Sequence, residues 1–166
     1  MVTLEQKYCA LLGVAQEKGQ ADLSKMKACF EVLALASAID RACARRLAPY
    51  QLSEGKFIVL FLLQQMPQGG APNELAERAG VTRGTITGLL DGLERDGYIS
   101  RQQDATDRRR LIVRLSPQGE EVAAKLGEEH SRWIGSLFEG FSEEDFKVLS
   151  PLLNRVWKTL EEDDVI

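Results

Sequence analysis

This chain is poor in the residues that most often carry chemistry. Its 166 residues include one histidine, His130, and three cysteines, Cys9, Cys29 and Cys43, with no Cys-x-x-Cys spacing among them. A disulfide framework needs paired cysteines and a zinc centre needs clustered Cys and His, so neither is expected and no metal ligands are read. A nucleophile elbow, a phosphate-cradling glycine loop and a resident cofactor motif are all missing, which leaves an enzyme without its working parts. Long apolar runs are missing too. The longest, residues 57–63, has seven residues, far short of the roughly 18 that span a bilayer. Residues 1–5 carry neither a basic stretch nor an apolar one, so no secretory signal is read, and a cytoplasmic protein without membrane contact is expected.

What the chain does have is apolar periodicity. With 44% apolar residues it has enough material for one domain with a core. Leu4, Tyr8, Leu11, Leu12 and Ala15 recur at helical steps over residues 3–18, ended by Gly19. A longer helix follows to about Ala48, with Met26, Phe30, Leu33, Ala34 and Ile39 on its apolar side, and Pro49 stops it. Ser53 caps a third helix with Phe57, Leu60, Phe61 and Leu63 inward. Near the end, Ser116 and Pro117 open a helix with Val122, Leu126, Trp133, Ile134 and Leu137 in its stripe. Ser142 to Asp145 cap a last one, striped by Phe146, Leu149, Leu153, Val156 and Leu160. Such terminal stripes must pack on each other or on a second copy of the chain.

The centre, residues 73–116, reads as helix, tight turn, helix and short hairpin. Asn73 is expected to cap a helix over residues 74–79, with Leu75 and Ala76 inward. Gly80 supplies the left-handed turn, Val81 plugs the corner and Thr82 caps the next helix. Ile86, Leu89 or Leu90, and Leu93 anchor that helix, which leaves Arg83, Gly84, Thr85, Thr87 and Gly88 outward. Small hydroxyl and glycine positions let a helix approach base edges, and Arg83 can reach phosphate or guanine. Three glycines in this helix, Gly84, Gly88 and Gly92, each cost roughly 1 kcal/mol of propensity, so something other than helix stability favours them. Strands are expected over residues 98–101 and 111–115, with Val113 and Leu115 on one face. Between them stand Arg108, Arg109 and Arg110, suited to the negative potential of a minor groove. Asp107 would repel phosphate, and its expected task is to pair with Arg109 and hold the loop.

Charge supports that order. Residues 83–115 hold seven Arg against five acidic residues, while residues 116–166 hold five basic against twelve acidic. An acidic pole opposite a basic wing suits approach to a polyanion in one orientation.

These residues resemble the multiple-antibiotic-resistance regulator (MarR) family. The family's wing pattern is Asp-x-Arg, three residues, an aliphatic, one residue, Leu, then Ser or Thr; here Asp107, Arg109, Val113, Leu115 and Ser116 stand in it. Residues 93–101 and 52–57 resemble the family's helix end with first wing strand and the entry to its second core helix. The likeness covers about residues 25–160. It implies a mainly α fold with a small β-hairpin wing: a winged helix-turn-helix (residues 53–116) flanked by long N-terminal (1–48) and C-terminal (117–166) dimerisation helices, all in one MarR-like domain. It further implies a homodimeric repressor on a pseudo-palindromic double-stranded DNA operator, released by a small molecule or by oxidation.

The extra first helix resembles the urate-responsive branch, but Tyr8 and Ile58 stand where that branch has Trp and Asp, which points away from urate. For a small aromatic anion, Arg45, Tyr50, Phe57 and Phe61 are the candidate cleft residues. The redox alternative rests on Cys9, beside Tyr8 and near Lys7, with Cys29 and Cys43 expected to be buried. A third alternative is a winged module that binds protein instead of DNA.

Overall fold

The structure, a computed structural model, describes residues 5–19, 22–103 and 111–163. Seven α-helices and one hairpin follow in order: α1 (Gln6–Glu17), α2 (Leu23–Leu47), a 3-10 turn (Ala48–Tyr50), α3 (Glu54–Gln64), α4 (Pro72–Arg78), α5 (Arg83–Arg95), β1 (Ile99–Gln103), β2 (Leu111–Leu115), α6 (Pro117–Leu137) and α7 (Glu143–Asp163). The chain forms two compact units, residues 1–123 and 124–166. No helix among the described residues is long and apolar enough to cross a membrane.

The first unit is built from locally specified starts and stops. The Ser53 hydroxyl accepts from the Lys56 N–H at 3.3 Å, opening α3. Thr82 does the same for α5, accepting from Thr85 N–H at 3.1 Å. Gly80 has φ +64, and that left-handed step turns α4 toward α5. The expected Asn73 cap is not formed. Helix α4 starts earlier, at Pro72 with Ala71 in the capping position, because proline's fixed φ suits the first helical residue and its missing N–H is one a helix start would leave unpaired anyway.

The core lies between α3, α4, α5 and the hairpin. Val59, Leu60, Leu75, Ile86, Leu90, Leu93 and Val113 are all but fully buried, each contributing roughly 1.5–3 kcal/mol of burial. Strands β1 and β2 pair antiparallel, with Arg101 opposite Val113 and Ile99 opposite Leu115. Gly70 adds a backbone bridge to Val113, with bonds of 2.9 Å in both directions. Ile112 is buried alongside Val113, whereas Leu115 is only half-buried, so burial in β2 does not follow strict alternation. The Gly69 loop lies over the Ile112 side.

Periodicity overestimates what the chain itself covers. Phe61, expected inward, is 43% exposed, and Leu33 is also exposed. Cys29 is exposed on α2, while Cys43 is buried. Their helix contacts neighbours along only part of its surface, so not every apolar position on it finds one.

In the second unit, Ser142 and Asp145 form a reciprocal cap on α7: Ser142 N–H donates to Asp145 Oδ2 at 2.8 Å, and Asp145 N–H donates to Ser142 Oγ at 3.2 Å. The Ser142 N–H and the Ser142 hydroxyl, at 2.7 Å, both donate to Asp145 Oδ2 and hold that carboxyl below its ordinary value. Phe138, Phe141 and Phe146 cluster with ring centroids 5.5–5.8 Å apart. Leu126 and Trp133 are buried, but Ile134, Leu137 and most of the α7 stripe are exposed. Pro151 stands inside α7 without ending it, in line with the apolar stripe expected on both sides of it.

The first turn of α6 is seated on Tyr98. Ser116 Oγ donates to Gly97 C=O at 2.6 Å and accepts from Gly119 N–H at 3.0 Å. A Cβ on Gly119 would collide with the Tyr98 carbonyl. Gly119→Ala is therefore expected to destabilise the fold by about 3 kcal/mol, the upper range for overpacking, read as a lowered midpoint in urea unfolding. Gly135→Ala, with open space at its Cβ, should not lower it.

Candidate nucleic-acid interface

The N-terminal half of α5 presents Arg83, Gly84, Thr85, Thr87 and Gly88 to solvent, with Thr82 also exposed at its cap. Ile86, Leu90 and Leu93 bury the opposite side. The threonine hydroxyls are oriented within the helix. Thr82 and Thr85 share a hydroxyl–hydroxyl bond of 2.9 Å, which leaves one proton of the pair to donate. Thr87 Oγ1 donates to the Arg83 carbonyl at 2.8 Å. Its proton is thus used, and it offers outward only a lone pair and a methyl group.

The three helix glycines have different reasons. A Cβ on Gly92 would meet Lys56 Cε at 2.7 Å, so a side chain there would have to displace the end of the lysine that reaches Asp96. A Cβ on Gly88 would meet nothing within 4 Å, and one on Gly84 only Thr82 Oγ1 at 3.9 Å. Nothing in the chain's own packing explains those two. Asn73, displaced from its expected cap, lines a depression of about 420 Å³ with Pro72, Arg83, Ile86 and Thr87. The sequence reading gave it no place at the site.

Two cations fix this helix through three ion pairs, none of which followed from the sequence pattern. Arg101 on β1 donates to Asp91 Oδ1 at 2.6 Å and lies 3.4 Å from Glu94 Oε2, so the wing strand is fastened to the C-terminal half of α5. Lys56 on α3 donates to Asp96 Oδ2 at 2.6 Å, just past the helix end. The Lys56 hydrogen bond holds the Asp96 carboxyl below its ordinary value, with its charge and that of Arg95 adding to the effect.

Asp107, Arg108, Arg109 and Arg110 lie outside the described residues. Of the expected cleft residues, Phe57 is buried, Phe61 exposed and their ring centroids are 6.4 Å apart. The Tyr50 carbonyl accepts from the Tyr98 hydroxyl at 3.1 Å, and Arg45 is exposed on α2. Cys9 is exposed on α1. Lys7, its neighbour, pairs with Glu5 at 2.8 Å and sits over the Tyr8 ring. Burial pushes the Cys43 thiol up, and the Glu54 and Asp40 carboxylates add to that, so it is no ready nucleophile.

A capped helix with small outward residues, a tight left-handed turn before it and a hairpin clipped behind it define the winged helix-turn-helix class. The comparisons with known proteins go further. The MarR family model matches residues 52–111. The HTH-type transcriptional repressor YetL of Bacillus subtilis (strain 168) is 30% identical over 155 residues, 93% of each chain. The HTH-type transcriptional regulator PecS of Dickeya dadantii (strain 3937) is 32% identical over 124 residues, 74% of this chain and 75% of PecS. Among solved structures, the S. aureus MepR–DNA complex superposes with a TM-score of 0.65 at 23% identity, covering 76% of this chain and 92% of that one. The chain belongs to the MarR family and is a winged-helix transcriptional regulator.

The Lys56–Asp96 pair has a testable pH signature. A carboxylate whose folded value is depressed adds stability that is fully present above its unfolded value, and loses it as pH falls through the folded value. Titration of the Asp96 carboxyl by NMR should therefore give a midpoint below that of a free aspartate. Lys56→Met should return the midpoint to the ordinary range and remove that part of the acid-dependent stability loss.

Proposed function

We propose that this regulator is a homodimeric repressor that reads a pseudo-palindromic operator with α5 in the major groove and the wing in the minor groove. The observation that carries the reading is the open space at Gly84 and Gly88, where helix propensity is given up without any gain in packing. A duplex surface at that face supplies the missing reason. Thr82 or Thr85 donates the spare hydroxyl proton to phosphate. Thr87 is limited to accepting from a base amine or touching a thymine methyl, so it reads sequence. Arg83 contacts phosphate or guanine. Arg108, Arg109 and Arg110 serve the minor groove, with Asp107 steadying the loop. The repressor name of YetL and the DNA bound to MepR support this reading.

Dimerisation uses residues 1–48 and 117–166 around the central reading head. Supporting it are the uncovered apolar faces: Val32 and Leu35 on α2, and Val156, Trp157 and Leu160 on α7, where Trp157 is 63% exposed. A small aromatic anion near Arg45, Tyr50, Phe57 and Phe61 releases the operator, and the protein works in the cytoplasm without catalysis. The exposure of Cys9 favours a second reading in which oxidation does the releasing.

Gel-shift titrations on the DNA flanking the protein's own gene, at two salt concentrations and with or without an oxidant, test this scheme. Gly88→Ala should raise thermal stability by about 1 kcal/mol yet weaken binding; unchanged binding would remove the main support. Arg109→Ala should weaken binding to all sequences and lower the salt slope by roughly 0.9. Thr87→Ala should change preference among sequences. Arg101→Ala should weaken binding with the slope unchanged, because its partners are Asp91 and Glu94 and not phosphate. Leu153→Glu with Leu160→Glu should halve the mass measured by light scattering.

A further inference from the structure

A cavity of about 430 Å³ at the base of the wing has no part in the scheme above. Leu63, Met66 and Leu115 supply apolar walls, while Gln64 from α3, Arg114 from β2 and Glu120 from the first turn of α6 supply polar ones. Among the described residues, none of these three polar side chains has a hydrogen-bond or ion-pair partner. Arg114 and Glu120 carry opposite charges and line one cavity without pairing to each other. The stem of Arg114 is held in place: a Cβ on Gly69 would meet Arg114 Cγ at 2.8 Å, so the loop before α4 lies directly on it. A fixed stem with a free guanidinium loses little rotamer freedom on binding.

The volume falls in the usual range for small-molecule sites. A guanidinium fork donates two parallel hydrogen bonds to a carboxylate. A carboxylate accepts from an ammonium, a glutamine amide serves either group, and the apolar walls take a hydrocarbon body. We infer that this cavity binds a small zwitterion of the apolar α-amino-acid class, its carboxylate on Arg114 and its ammonium on Glu120. The loop that forms one wall runs into Gly70, which is bonded to Val113 of β2, and then into α4. An occupant therefore bears on wing and turn together. Its effect on operator affinity rests on the function proposed above; binding itself does not.

The test uses the full chain with ¹³C-labelled Leu and Met methyl groups. L-Phenylalanine and L-leucine are the probes, with benzoate and phenethylamine as controls that each lack one charge. Expected are saturable shifts of the Leu63, Met66 and Leu115 methyls with the amino acids, and binding roughly tenfold weaker or worse for each control. Arg114→Gln and Glu120→Gln, both at exposed positions, should each weaken binding by a similar factor while leaving the ligand-free spectrum intact. The inference is overturned if neither amino acid shifts those methyls at millimolar concentration, if benzoate or phenethylamine binds as well, or if both variants bind like the parent. Gel shifts run alongside separate the two questions. Saturable methyl shifts without operator binding would sink the DNA reading and leave the cavity standing.

Discussion

The reading head is held together at Tyr98. Its N–H donates to the Leu93 carbonyl at the end of α5, and its carbonyl accepts from Ser116 N–H at the start of α6, both at 2.9 Å. Its hydroxyl donates to Tyr50 just past α2. Three segments distant in sequence therefore meet on one residue, immediately before the wing begins. Burial raises the Tyr98 phenol above its ordinary value, so it stays a neutral donor at physiological pH. Gly119 is the counterpart of this junction, since any side chain there would push α6 off the Tyr98 carbonyl.

From that junction α5 is gripped by ion pairs at its C-terminal half, while the outward side of its N-terminal half is left open. Lys56 and Arg101 hold Asp96, Asp91 and Glu94 at one end. At the other end, among the described residues, the side-chain hydrogen bonds are internal ones among Thr82, Thr85, Thr87 and the Arg83 carbonyl, while Ile86 alone is fully buried. The outward side of that half stays uncovered, and its backbone is fixed by the Thr82 cap together with the buried Ile86. The ion pairs also offset the negative charge of Asp91, Glu94 and Asp96 at that end of the helix.

The four helix caps and the turn of the reading head were legible in the sequence because each is local. Ser53, Thr82, Ser116 and Ser142 bond within three residues of themselves, and Gly80 needs only its own φ. The outward set from Arg83 to Gly88 followed from helical period once Ile86 was placed inward. The Asn73 cap failed because Pro72 competes for the same helix start. Phe61, Leu33 and Cys29 were read as inward because an apolar stripe looks the same whether or not a neighbour exists to cover it.

The sequence by itself determined most helix starts, which face of α5 is apolar, and that a pair of strands follows it. Only the tertiary structure decided which charges meet and which glycines have a neighbour where a Cβ would stand. Arg101 finds Asp91 across 10 residues, Lys56 finds Asp96 across 40, and Tyr98 finds Tyr50 across 48. Gly92 has such a neighbour only because Lys56 crosses it, and Gly88, in the same helix and four residues earlier, has none. Local chemistry acts over a few residues of chain and can be read there. Contacts at these separations depend on how α3, α5 and the hairpin settle against one buried core, and no short window of sequence contains that information.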